Sequence, residues 1–223
     1  MGNYILDEMK DAVTFYEAIA NTIAEQYLKG INEKNFFTLV LTGGNTPLKL
    51  FDLLVKNYSE RIDWSKVYLF WADERCVSQK SYDNNFFNAK IHLINHLQFG
   101  GINPIQTNLS PKLAAKEYLN DVHLFLKKYS LKSFDMVILG MGNDGHIASV
   151  FNPMDQKEDE IYVSKTKNFD RVTMSISMLK KIKYKLLMIR GKDKLNCLKD
   201  QSMKLPKDMI NYEKIIYTND TFQ

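Results

Sequence analysis

The sequence predicts an α/β chain, organised as a single three-layer domain over residues 1–223, with a mostly parallel sheet and helices on both faces. Two observations carry this. Short, almost uninterrupted apolar runs recur along the chain, as expected of strands buried on both faces. Segments with helical periodicity lie between them, and strands that alternate with helices pair in parallel.

Taken in order, the opening segment from about Asp7 to Lys29 carries Met9, Val13, Tyr16, Ala20, Ile23 and Tyr27 on one helical stripe. The run FFTLVLT (36–42) is the first predicted strand, followed by a helix that Asn45 or Thr46 caps and Pro47 opens at its first position. Leu48, Phe51 and Leu54 or Val55 give that helix an apolar face. VYLFWA (67–72) is the second strand. From Pro111 to Lys128, Ala115, Tyr118, Leu119, Val122, Phe125 and Leu126 form one stripe of a helix. FDMVILG (134–140), YKLLMIRG (184–191) and KIIYT (214–218) complete the strands, and the polar segment MDQKEDE (154–160) reads as an exposed loop. The alternation is Rossmann-like, and in such sheets ligands bind beyond the carboxyl ends of the strands.

Composition narrows the classes. Hydrophobic residues make up 45% and charged residues 25%, which fits a chain with a packed core. No apolar run approaches the ~20 residues of a membrane-spanning helix, so no membrane partner is expected. MGNYILDEMKDAV lacks the basic and apolar blocks of a secretory leader. Its Met-Gly-Asn start resembles a myristoylation signal, but Leu6 stands where Ser or Thr is required. Cys76 and Cys197 are far apart and show no metal spacing, as in a reduced, cytoplasmic chain. The net charge of +4 is spread along the chain, which favours an anionic small molecule over nucleic acid. Oligomeric state is left open.

The residues after three strands carry the chemistry. TGGNTP follows the first, and a glycine turn feeding a helix N-terminus leaves amide N–H groups free for an anion, above all a phosphate. Gly43, Gly44, Asn45 and Thr46 are therefore candidate phosphate-binding residues. Asp73, Glu74 and Arg75 follow the second strand, and Arg75 can grip a carbonyl or carboxylate through two N–H groups. LGMGNDGHIASVFNP (139–153) closes the third run, FDMVILG, with Asp144 two residues from His146. An imidazole suits proton transfer near neutral pH, and a carboxylate can fix its tautomer. His92, His96 and His123 are read as inert. His92 and His96 are spaced i, i+4 on a predicted helix, but no third ligand accompanies them, so no metal site is expected. The sequence contains no Gly-x-Ser-x-Gly elbow, which argues against a covalent serine nucleophile. What remains suits water attacking a carbonyl, or proton movement on a phosphorylated sugar.

Three stretches in fixed order, LTGGNTPLKLFDLL, WADERCV and LGMGNDGHIASVFNP, resemble the 6-phosphogluconolactonases, within a group that also holds the glucosamine-6-phosphate deaminases. DNNFFNAK (83–90), RVTMSISMLKK (171–181) and YKLLMIRGKDK (184–194) extend the likeness over most of the chain. Asp73-Glu74-Arg75 and Ala148-Ser149-Val150-Phe151 are lactonase-like, and Phe151 stands where a deaminase is expected to carry glutamate. Ile147, Asn152, Asn45 and Ser78 depart from the lactonase pattern. The resemblance implies hydrolysis of 6-phospho-D-glucono-1,5-lactone in the oxidative pentose phosphate pathway, without metal or organic cofactor. It implies His146 as base, Asp144 as its holder, Arg75 as oxyanion donor, and Asp73 orienting Arg75 or a sugar hydroxyl. Arg171 and Lys194 would help the glycine turn bind phosphate. The alternatives are a deaminase or isomerase of amino-sugar phosphates and a non-catalytic sugar-phosphate sensor. A natural fusion to the preceding pathway enzyme is left open.

Overall fold

The structure, a computed structural model, describes residues 5–152 and 160–220. Its elements in chain order are β1 (Ile5–Met9), α1 (Ala12–Lys34), β2 (Phe37–Leu41), α2 (Asn45–Tyr58), β3 (Val67–Trp71), β4 (Asp73–Arg75), α3 (Asn85–His92) and β5 (Gly101–Ile102). Then come α4 (Pro111–Lys128), β6 (Met136–Gly140), β7 (Ile161–Lys165), β8 (Asp170–Met174), α5 (Ile176–Lys181), β9 (Tyr184–Arg190), α6 (Lys192–Lys199) and β10 (Lys214–Thr218).

The five apolar runs form β2, β3, β6, β9 and β10. They are joined by β1 and β5 in a seven-stranded parallel sheet of order β1-β10-β9-β6-β2-β3-β5. All five residues of β2 are buried, as strands covered on both faces should be. From β2 the chain steps outward through β3 to β5, then returns to β6 and steps the other way through β9 to β10. Right-handed crossovers place α1, α2 and α3 on one face, and α4 and α6 on the other. The direction reverses between β2 and β6, so their carboxyl ends open the crevice where α/β sheets bind ligands.

The opening segment differs from the predicted helix. Ile5–Met9 is a strand paired with Lys214–Thr218, and the helix starts only at Ala12. Asp11 caps it, its carboxylate accepting the Thr14 N–H at 2.8 Å. The alternation in ILDEM is short, and its pairing partner lies some two hundred residues away. Met9 therefore belongs to β1, and Val13, in the first turn of α1, is 66% exposed. Tyr16, Ala20, Ile23 and Tyr27 are buried as expected. The helix runs past Lys29 through Gly30, which sits so close to the Phe37 ring that a Cβ would come within 2.9 Å of it.

α4 has the predicted bounds and buries Ala115, Tyr118 and Val122, while Leu119, Phe125 and Leu126 pack partly buried against the core. Its Tyr118 hydroxyl accepts the Trp71 N–H at 2.7 Å and donates to the Trp71 carbonyl at 2.9 Å. That fixes the end of β3 one residue short of the acid motif.

A second, three-stranded antiparallel sheet, β4-β8-β7, was not expected. It is tied to the large sheet where the Met174 N–H donates to the Ala72 carbonyl at 2.8 Å. The predicted loop at 154–160 falls outside the described residues except for Glu160, which accepts from Lys181 and pairs with His123. His92 and His96 do not share a helix. α3 ends at His92, whose Nδ1 meets Asp52, and His96 lies in a separate 3-10 turn with Nε2 on the Ile91 carbonyl.

Candidate active site

At the crevice between β2 and β6 lies a cleft of about 200 Å³. It is lined by Gly43, Gly44, Asn45, Thr46, Asp73, Arg75, His146, Arg171 and Lys194, along with Thr42, Asn85, Gly140, Gly142, Ala148 and Met188. Nine of the ten candidate residues thus meet on one cavity, and the tenth, Asp144, is bonded to one of them. Larger cavities, of about 330 Å³ beside the end of α6 and about 690 Å³ between α4 and β7, hold no imidazole beside guanidinium groups.

The glycine turn leads into α2 with no side-chain cap on its first amides. α2 begins at Asn45 with Gly44 as its cap, so neither Asn45 nor Thr46 caps the helix, and Pro47 is its third residue. Gly44 has φ +94, a conformation that favours glycine, and supplies no side chain to occupy the free amides. Gly43 has another reason to be glycine. A Cβ there would come within 1.8 Å of the Asn85 side-chain oxygen.

The acid motif is folded by its own middle residue. The Glu74 carboxylate is buried and accepts amide N–H groups from Arg75 at 2.7 Å, Asn85 at 2.7 Å and Phe86 at 2.8 Å. It therefore caps α3 and ties that helix to β4. Burial pushes its pKa up to about 7, against the amide hydrogen bonds, which favour the carboxylate. The Asn85 side chain then donates to the Asp73 carbonyl at 3.0 Å.

Asp73 does not hold Arg75 by a hydrogen bond. Its Oδ2 accepts the Ser149 hydroxyl at 2.6 Å, and Arg75 Nη1 donates to the Asp83 carbonyl at 2.8 Å. Arg75 and Arg171 face each other as a register pair between β4 and β8. The Nε of each is buried without a hydrogen-bond partner among the described residues. Like charges opposite one another on a sheet are unfavourable. Burial, and then the charge of Arg75, push the Arg171 pKa below its usual range. Burial likewise lowers Lys194 on α6. Arg75, Arg171 and Lys194 thus gather three cationic side chains on one cleft.

The histidine loop turns on Gly142 and Gly145. The Gly142 N–H donates to the His146 carbonyl at 3.0 Å, and the Gly145 N–H to the Gly142 carbonyl at 3.1 Å. Gly145 has φ +78, and a Cβ on Gly142 would strike the His146 ring at 2.1 Å. His146 Nδ1 lies 2.5 Å from Asp144 Oδ1. Burial pushes Asp144 up, but the hydrogen bond and charge of His146 outweigh it and hold the carboxyl below its usual range. An Nδ1–H donated to Asp144 leaves the lone pair on Nε2.

Residues 10–216 match the family model described as glucosamine-6-phosphate isomerases/6-phosphogluconolactonase. The chain belongs to this family. It is 37% identical over 180 residues to a probable 6-phosphogluconolactonase of Dictyostelium discoideum, covering 74% of this chain and 72% of that protein. It is 30% identical over 190 residues to the 6-phosphogluconolactonase of Thermotoga maritima, covering 82% of this chain and 83% of that one. The crystal structure of the Thermotoga maritima enzyme superposes with a TM-score of 0.86 at 27% identity, over 98% of this chain and 100% of that one. The family's mostly parallel sheet with flanking helices is the fold of this chain.

Ser149 and Asn85 are site residues that sequence reasoning did not assign. Asn85 had a partial signal, because Asn84-Asn85 opens a helix that Asn84 caps, accepting the Phe87 N–H at 2.8 Å. Ser149 had none.

Proposed function

We propose that the protein is a 6-phosphogluconolactonase, hydrolysing 6-phospho-D-glucono-1,5-lactone to 6-phosphogluconate. The observation that carries this is the convergence of an imidazole, two guanidinium groups and a helix N-terminus without a side-chain cap on one cleft. The phosphate rests on the amides of Gly43, Gly44, Asn45 and Thr46, with Arg171 and Lys194 supplying charge. That leaves C1 of the lactone towards His146 and Arg75.

Water attacks C1 as His146 Nε2 takes its proton, and Asp144 stabilises the imidazolium that forms. Arg75 holds the oxyanion on the carbonyl oxygen, a contribution of about 3 kcal/mol for one such donor. The bond from C1 to the ring oxygen then breaks, and the imidazolium returns its proton to that oxygen. Asp73, with Ser149 on one oxygen, keeps the other for a sugar hydroxyl. The step needs no metal or organic cofactor. The same reading places the protein in the cytoplasm, in the oxidative pentose phosphate pathway.

The test is incubation with freshly generated lactone, following loss of the ester against spontaneous hydrolysis, with glucosamine 6-phosphate in parallel. Accelerated ester loss with no ammonia from the amino sugar is expected. Ammonia release without ester loss would assign the deaminase reaction instead.

A further inference from the structure

We infer that Phe151 is a positioning residue, whose ring sets the imidazole of His146 and the guanidinium of Arg171 in place; this rests on the lactonase reading. The Phe151 ring lies 4.5 Å from the His146 ring, centroid to centroid, with a tilt of 40°. The Arg171 guanidinium carbon sits 5.6 Å from the same phenyl centroid. One aromatic plane therefore touches the base from the β6 loop and the cation from β8. Phe151 does not itself line the cleft, so it acts through these two groups.

His146 needs such a contact. Its hydrogen-bonded holder, Asp144, is only two residues away on the same glycine-rich loop, and its side chain is 64% exposed. A bond of that kind fixes the ring against the loop but not the loop against the cleft. Phe151 reaches the imidazole through a tight turn. The Val150 N–H donates to the Ile147 carbonyl at 2.9 Å, and Ala148 adopts φ +51, a strained conformation for a residue with a side chain. The turn is pinned where the Ser149 hydroxyl reaches Asp73. That strain is accepted where the chain folds back over its own catalytic histidine.

The ring face offers each partner a specific interaction. A phenyl face attracts a guanidinium and an imidazolium through its quadrupole. It therefore favours the charged imidazole formed during proton transfer, and it supplies Arg171 with a contact where its Nε has no hydrogen-bond partner among the described residues.

The test compares Phe151→Leu, which keeps apolar bulk, with Phe151→Tyr, which keeps the ring. In Phe151→Leu, kcat should fall about tenfold and KM for the phosphorylated lactone should rise several-fold, while Phe151→Tyr stays within about twofold of the parent. Proton NMR of the His146 ring gives a readout independent of turnover. Its carbon-bound protons should be displaced upfield by the phenyl ring current in the parent and Tyr forms, and should move downfield in the Leu form. Unchanged kinetics in Phe151→Leu, equal losses in both variants, or His146 resonances that ignore the ring would each overturn the inference. A parent chain without lactonase activity would instead sink the reading it rests on, and the NMR comparison would still test the contact.

Discussion

Replacing Gly43 with alanine tests how the glycine turn and the acid motif are joined. The new Cβ would come within 1.8 Å of Asn85 Oδ1, 2.1 Å of its Cγ and 2.5 Å of its Nδ2. Such distances require movement, and the Asn85 side chain is poorly placed to move. It is buried, its Nδ2 donates to the Asp73 carbonyl, and its own N–H is held by Glu74. Overpacking of this kind costs about 1–3 kcal/mol, and losing the bond to Asp73 adds about 1 kcal/mol. A total of about 2–4 kcal/mol corresponds to roughly 4–16 °C in the melting temperature of a chain this size. Gly140→Ala is the control, because it also lines the cleft but a Cβ there meets nothing within 4 Å. Thermal melts should show Gly43→Ala well below the parent and Gly140→Ala close to it. In Asn85→Ala, which removes the obstacle, the added Gly43→Ala change should cost much less. Equal melting temperatures for the two glycine variants, or no coupling between positions 43 and 85, would refute the steric argument.

Other expectations follow from the same geometry. His146→Ala should lower kcat by about 10²-fold or more while leaving the melting temperature near that of the parent, checked on fresh lactone. Arg171→Ala and Lys194→Ala should raise KM for the phosphorylated lactone more than for the unphosphorylated one, and equal effects would remove both from the phosphate site. Because burial lowers Lys194, calorimetric affinity for 6-phosphogluconate should weaken as pH rises through a range below the usual 10.5, a dependence that Lys194→Ala removes. Glu74→Gln should destabilise the fold by about 1–3 kcal/mol, since an amide nitrogen cannot accept a buried N–H. The pH dependence has a definite sign: with Glu74 raised from 4.5 to about 7, the native chain retains a proton the unfolded chain has lost. Its contribution to stability is thus lost as pH rises across that interval. Urea midpoints for the parent should show this loss, and those of Glu74→Gln should not.

The parts of the molecule legible in the sequence are those whose signals are local. β2, β3, β6, β9 and β10 are largely buried and read as nearly continuous apolar runs, and α4 carries a full helical stripe between Ser110 and Tyr129. The small sheet escaped because β4 has only three residues, Asp73–Arg75, and β8 opens with Asp170 and Arg171. Those charges read as loop, and only the fold brings Asp73, Arg75 and Arg171 together on the cleft. β1 escaped because ILDEM offers only two apolar residues ahead of its acids, and its strand character comes from β10. In the site, glycine turns, an acid-base cluster and a histidine loop announce themselves at strand ends. Arg171 and Lys194 came from family likeness alone. Ser149, Asn85 and Phe151 act through residues from other strands, so their roles exist only once the chain has folded.

The most direct measurement is a crystal structure with 6-phosphogluconate bound. The account predicts the phosphate on the amides at the start of α2, beside Arg171 and Lys194, and the product carboxylate within hydrogen-bond reach of His146 Nε2 and Arg75. A product molecule bound in another cavity, or one whose carboxylate lies away from His146, would contradict it.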